Sequence, residues 1–380
     1  MAIARLLAVG LMSASLSVLS GQAGGLPTSK VVVQAMHLKW TDGSPVESGG
    51  DRYPTDIYVV DANGKNIRNL THDHPTNYLI DRLPDGQKIL YESVPSDRMP
   101  AGRSRIFSIS ADGSGRRQLA SGKGELLPKL SPDRHRILFA RGRWLYVMRS
   151  DGTDKTPLAQ TSFGYYEPPT YGPYDASWSL DGKRIAFVRG FEKEKYGSPA
   201  VNPRSALYVI NADGTGFRRL TPVRPKVETM NPAWAPDGRK IAFDEYRYPM
   251  TVSNRTYVMR ADGTHVKRLK QLDGYGTTLW FWLSKDRIAY EVENGRLRSI
   301  DADGTGKPQA LPNRVRVGGE LWISGPAAEF WPLSPDGRWV AFATGPRSVW
   351  IAHLDGTHRR LVTRKICCVF VSFAIDWAGK

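Results

Sequence analysis

The chain has 380 residues, a formal net charge of +16 from 53 Lys and Arg against 37 Asp and Glu, and only two cysteines. That length would ordinarily make two domains, although β-rich single domains run as long. Beyond the N-terminus no run approaches the roughly 18 apolar residues of a membrane-spanning helix.

In chain order, residues 1–23 come first. Arg5, the apolar run 6–19 and the small-x-small site Gly21-Gln22-Ala23 read as a secretory signal peptide. This predicts an exported protein, periplasmic or secreted, whose mature part, 24–380, is one domain with no transmembrane segment. Three strands are expected next, at 30–36, 56–61 and 66–71. From there two short signatures alternate to the end of the chain. One reads DANG (61–64), ADGS (111–114), SDGT (150–153), ADGT (212–215), ADGT (261–264), ADGT (302–305) and LDGT (354–357). The other reads LPDG (83–86), SPDR (131–134), SLDG (179–182), APDG (235–238), LSKD (283–286) and SPDG (334–337), with a worn copy at AIDW (374–377). Self-similarity at a period of roughly 40–50 residues marks a propeller or a solenoid.

One unit shows what each repeat builds. Ala233-Trp234 and Lys240-Ile241-Ala242-Phe243 flank Pro236-Asp237-Gly238, a hairpin in which Pro presets φ and Gly accepts φ > 0. Thr256 to Met259 is β-branched and aromatic, a third strand. Asp262-Gly263 turns it into a fourth, at 265–269. No stretch sustains a 3.6-residue apolar period, so helix is nearly absent. Four antiparallel strands per repeat make a propeller blade. Six units are complete; the seventh is expected from both ends, with 369–376, and Phe370 to Phe373 in particular, as innermost strand beside 30–36. The expected fold is an all-β, seven-bladed β-propeller closed by pairing of N- and C-terminal strands; six blades is the alternative.

The positive charge does not point to nucleic acid. Arg116-Arg117, Arg218-Arg219, Lys267-Arg268 and Arg359-Arg360 recur just after the Asp-Gly turns, on the outermost strand of each blade, where charge protects an exposed edge. Cys367 and Cys368 are adjacent; export makes pairing conceivable, but neighbouring strand residues point to opposite faces, so two separate buried thiols are expected.

The pattern x-W-[SA]-x-D-G-[KR]-[KR]-I-A-F, followed by [IL]-Y-V-[IM]-x-A-D-G-T-x-x-[RK]-R-L-T, resembles the WD40-like β-propeller repeat of the TolB type. It is carried best by 177–188 with 207–221 and by 233–243 with 257–269. The resemblance covers the mature chain and implies a TolB-like propeller. It departs from the family in two respects: no room exists before Ile57 for the N-terminal domain of TolB, and TolB has six blades. Propeller peptidases need a nucleophile elbow, G-x-S-x-G, which the sequence lacks. Oligogalacturonide lyases share the repeat too.

Both turn series connect first to second and third to fourth strands, so they share one end of each blade. The long connections gather at the other, where function usually sits. There the sequence offers Tyr165, Tyr166, Tyr171 and Tyr174 in one connection, with Tyr196, Arg204, Tyr246, Arg247 and Tyr248 in others. Tyr and Arg are the enriched pair at binding hot spots, although the same rings could simply pack loops. His72 and His74 form an H-x-H pair at that end that could hold a divalent metal; a solvated loop is the plainer reading. Asp244 and Glu245 are acids of the same end. The Asp of each Asp-Gly turn reads as turn chemistry. These features favour a monomeric, non-catalytic protein, without a cofactor, that binds an envelope protein, peptide or glycan. The alternative is a metal-dependent enzyme on acidic oligosaccharides, resembling oligogalacturonide lyase, with His72 and His74 as ligands.

Overall fold

The computed structural model describes residues 30–36, 55–72, 76–83, 85–94, 104–120, 125–161, 176–191, 204–247, 253–275, 280–292, 296–311, 314–317, 320–323, 329–332, 339–343, 349–353, 357–364 and 375–378. Within them the chain is almost entirely antiparallel β-sheet, and the helical element is a three-residue 3₁₀ turn, Lys270–Leu272.

Six sheets carry the expected four-strand order. Blade 1 is composite: Arg68–Asn69, Thr55–Asp61 and Lys30–Met36 are completed by Ile375–Ala378 from the other end of the chain, with Val33 opposite Ile375 and Lys30 opposite Ala378. Blade 2 runs Thr76–Arg82, Lys88–Val94, Arg105–Ser110, Arg117–Gln118. Blade 3 is Glu125–Leu130, Arg136–Arg141, Trp144–Arg149, Thr156–Gln160; blade 4 is Ala176–Trp178, Arg184–Gly190, Ser205–Asn211, Arg218–Arg219. Blade 5 is Val227–Trp234, Lys240–Arg247, Ser253–Arg260, Lys267–Arg268; blade 6 is Trp280–Ser284, Arg287–Val292, Arg296–Asp301, Gln309–Ala310. The seventh repeat contributes Trp339–Ala343, Val349–His353 and Arg360–Thr363 as a three-stranded sheet. Arg314–Val317, Glu320–Ile323 and Glu329–Pro332 are short strands between the last two repeats.

One sequence reading is corrected. Of AIDW, read as a worn turn, Ile375 to Trp377 are strand: Trp377 lies opposite Val31, so this segment copies the inner strands that end in Trp178 and Trp234. Its lone Asp lacks the Pro-Asp-Gly context that makes a turn. The expected pairing of the two chain ends is present, through 375–378; Phe370 to Phe373, Cys367, Cys368 and the expected leader 1–23 lie outside the described residues.

The chain divides into two compact units, one mainly Lys129–Val317 and the other mainly within Leu16–Pro128 and Glu329–Lys380. In the first, apolar layers lie between successive blades. Leu138, Leu145 and Val147 meet Trp178, Ile185 and Phe187, and Leu207 and Val209 meet Trp234, Ile241 and Phe243. In the second, Val32, Ile57 and Val59 meet Leu79, Ile89 and Tyr91. Alternate residues of the two central strands face these layers, and full burial of each Phe or Ile contributes about 2–3 kcal/mol. Tyr91 stacks on Phe107, Phe139 on Tyr146 and Phe243 on Tyr257, each a directly opposed pair on the second and third strands at 5.4–5.5 Å.

Candidate functional site

The two ends of each blade differ in what their side chains are committed to. At the tight-turn end the hydrogen bonds repeat. In the turn after Asn211, Asp213 Oδ1 accepts from the Thr215 amide at 2.9 Å and its hydroxyl at 2.6 Å, while Gly214 sits at φ +87°. Asp112, Asp151, Asp262 and Asp303 do the same with Ser114, Thr153, Thr264 and Thr305. These bonds, led by the side-chain hydroxyl, hold the Asp112, Asp213, Asp262 and Asp303 carboxyls below the usual carboxylate range. This is the turn chemistry expected of these acids. The second turn series is tied to the first: Ala212 N donates to Lys183 O and Ala261 N to Arg239 O, both at 2.8 Å.

The basic residues near this end reach the next blade. Arg136 donates to Gly182 O at 2.6 Å, Arg184 to Gly238 O at 2.7 Å and Arg218 to Ala261 O at 3.2 Å. Within their own blades, Arg116 and Arg359 lie over the Phe107 and Trp350 rings at 4.5 and 4.6 Å. The rim charge is therefore partly structural cement, a role beyond edge protection that the repeat alone could not show.

The opposite end is less committed. In the unit built on Lys129–Val317, backbone contacts link three consecutive blades there. Thr161 N donates to Arg143 O at 2.8 Å and Gly190 N to Thr161 O at 2.9 Å. Phe191 N then donates to Arg204 O at 2.9 Å, Arg204 bridges Val227, and Val227 lies opposite Arg247. Arg141, Gly142, Arg143 and Trp144 form the tight second-to-third-strand turn of blade 3, with Gly142 at φ +56°. All four are exposed, the Trp144 side by 46%.

Beneath Arg247 lie two buried acids. Glu245, 2% exposed, is paired with Arg224 at 3.1 Å. Asp244, 1% exposed, accepts from the Thr256 hydroxyl at 2.7 Å, from Asn231 Nδ2 at 3.1 Å and from the Trp280 indole at 3.1 Å. Burial pushes its carboxyl up to about 6 against the pull of those three donors. Asn231 reaches it from a bulge, at φ +53°, where the register slips between Met230 and Ala233.

Of the residues singled out by sequence, Arg204 and Arg247 are exposed on this path and Tyr246 is half-buried beside it. His72 is exposed. Tyr165, Tyr166, Tyr171, Tyr174, Tyr196, Tyr248 and His74 lie outside the described residues. Asp244 and Glu245 are buried, bonded strand residues. Phe191 is committed to packing, with its ring 6.4 Å from Tyr208. Sequence reasoning passed over Arg141, Arg143 and Trp144, because a two-residue hairpin does not read as a long connection; a Trp within an Arg-Gly-Arg-Trp run was the available signal. Among the described residues no group of three His, Cys, Asp or Glu could hold a metal ion, and no helix is long and apolar enough to cross a membrane.

Solved structures decide the fold class. The chain superposes on an oligogalacturonate lyase in complex with manganese with a TM-score of 0.53 at 14% identity, over 81% of each chain. It superposes on Porphyromonas gingivalis dipeptidyl peptidase 4 with a TM-score of 0.53 at 14% identity, over 83% of this chain and 57% of that one. The fold is a β-propeller. TolB from Acinetobacter baumannii is matched at 17% identity over 87% of this chain and 80% of that one, with a TM-score of 0.42. No family profile matches the sequence, and no curated protein matches it. Identities this low establish architecture alone.

Proposed function

We propose that this is an exported, non-catalytic propeller whose partner, a protein, peptide or glycan of the cell envelope, docks at the long-connection end of its blades. One contrast carries the reading. At the tight-turn end the recurring Asp and Arg side chains are consumed in turns and blade-to-blade bonds. At the other end Arg141, Arg143, Arg247 and the Trp144 ring are exposed, and among the described residues none of them makes such a bond. Arg and Trp are the side chains that carry most binding energy when a partner covers them.

Immobilised protein, incubated with an envelope extract, tests this when the wild type is run beside a Trp144→Ala/Arg247→Ala double variant. The reading predicts a stoichiometric partner lost from the double variant; equal capture by both would overturn it. Export predicts a mature N-terminus just after Ala23 by mass spectrometry. The metal-dependent alternative shares the fold of the lyase, and metal analysis of the purified wild type and His72→Ala separates it: bound metal that disappears in the variant would favour the enzyme.

A further inference from the structure

We infer that the exposed arginine path across blades 3 to 5 is a track for an acidic, extended peptide segment, with Trp144 as its apolar anchor. This rests on the reading that the long-connection end binds the partner, and adds the partner's chemistry.

The path is continuous. From Arg143 through Thr161, Gly190 with its neighbour Phe191, Arg204 and Val227 to Arg247, successive segments are joined by backbone hydrogen bonds or strand pairing. Five such steps, at about 5 Å each, span at most about 25 Å, the length of roughly seven residues of extended peptide. Three exposed arginines, Arg143, Arg204 and Arg247, mark its start, middle and end, and Arg141 stands beside the first. An extended peptide turns alternate side chains to one side, so carboxylates at every second position could meet them in sequence.

The charge balance also favours an anion. Among the described residues the acids at this end of blades 3 to 5 are Glu125, which opens the first strand of blade 3, with Glu228, Glu245 and Asp244. Glu245 is already neutralised by Arg224 and Asp244 is buried, so Glu125 and Glu228 stand against Arg141, Arg143, Arg204 and Arg247, which leaves an excess of positive charge. The guanidinium fork binds carboxylate in two parallel hydrogen bonds, which gives direction as well as attraction. Trp144 supplies a flat, exposed indole at one end of the path, where an apolar side chain would lose water.

The experiment uses the full mature chain and fluorescence anisotropy of a labelled heptapeptide, Leu-Glu-Ala-Glu-Ala-Glu-Leu. Controls are the same peptide with Lys for Glu and a trigalacturonate of equal charge as competitor. The proposal predicts that Arg143→Glu and Arg247→Glu each weaken binding at least tenfold with unchanged Tm. Trp144→Ala should weaken it several-fold, and Arg219→Glu, an exposed charge reversal at the outer strand of blade 4, less than twofold. The Lys peptide should not bind. No binding of the Glu peptide at 50 mM salt, or an equal loss in Arg219→Glu, would overturn it, the second by showing a diffuse field. Tighter binding of trigalacturonate than of the peptide would overturn it in favour of a glycan. If an envelope partner is captured through Arg247 but the Glu peptide does not displace it, this proposal fails while the binding end stands. If capture is indifferent to Arg247 and Trp144, the functional reading itself fails.

Discussion

The indole Nε1 of Trp234 donates to the carbonyl oxygen of Ser177, 3.1 Å away on the inner strand of the preceding blade. Trp178 reaches Lys129 O and Trp282 reaches Ala233 O in the same way, at 3.3 and 3.0 Å. The Arg184 guanidinium lies 4.5 Å over the Trp234 ring, and Arg136 stands 5.2 Å over Trp178. One repeated Trp thus pegs blades 4, 5 and 6 to the blade before through a hydrogen bond and apolar burial, with a cation–π contact added at Trp178 and Trp234. Trp234→Phe keeps most of the apolar contact but leaves a carbonyl without its donor, so it should cost about 1–2 kcal/mol in urea denaturation. Trp144→Ala, on an exposed ring, should stay within about 0.5 kcal/mol of wild type. Equal losses in the two variants would contradict the peg.

Two glycines in equivalent turns should respond differently to alanine. Gly214 has φ +87° and a Cβ there would meet only Leu158 Cδ2, at 3.7 Å. Its cost is conformational, about 1–2 kcal/mol. Gly64 has φ +83°, and its Cβ would run into the Val362 carbonyl oxygen. Gly64→Ala should therefore lower Tm clearly more than Gly214→Ala. The reverse order would show that the close approach relaxes at no cost.

Asp244 gives a pH signature with a definite sign. Its folded pKa, about 6, lies above the ordinary 3.8. Between those values the folded protein keeps a proton that the unfolded chain releases, so this group's contribution is most favourable below pH 4. It falls as pH rises to about 6 and is constant above, a change of about 3 kcal/mol. Asp112, Asp213 and other turn acids, with depressed values, act in the opposite direction at lower pH, so the informative quantity is the difference between wild type and Asp244→Asn. That difference should decline with pH between 4 and 7; a flat difference would place the carboxylate in a better-solvated site than its partners Thr256, Asn231 and Trp280 suggest.

Removing residues 374–380 strips the innermost strand from blade 1 and exposes the Lys30–Met36 edge along Lys30 to Val33. A cooperative thermal transition well below that of the full chain is expected. An unchanged transition would mean that the composite blade is not needed for folding.

Much of this was legible in the residues. Pro-Asp-Gly and Asp-Gly-Thr impose local backbone angles that no distant contact has to supply, so the turns, the blade period and the composite blade could be read from spacing. AIDW misled because four letters in isolation match a turn; only the register against Val31 and Val33 shows that Trp377 is an inner-strand Trp. Asp244 could be assigned to an end of its blade but not to a buried cluster, because Asn231 and Trp280 meet it through a bulge and a neighbouring blade. Trp144 was passed over because its turn is short, and exposure is a property of what surrounds a residue rather than of the residue itself.

The central claim is that one end of the blades is scaffold and the other binds. Isothermal titration of the captured partner, with Tm recorded alongside, tests it most directly on two variants: Arg204→Ala/Arg247→Ala at the long-connection end and Gly214→Ala at the tight-turn end. The account predicts that the arginine pair weakens binding by about 1–2 kcal/mol per anchor while Tm holds, and that Gly214→Ala lowers Tm while binding to the folded protein is unchanged. Arginine variants that melt early yet bind normally would contradict it.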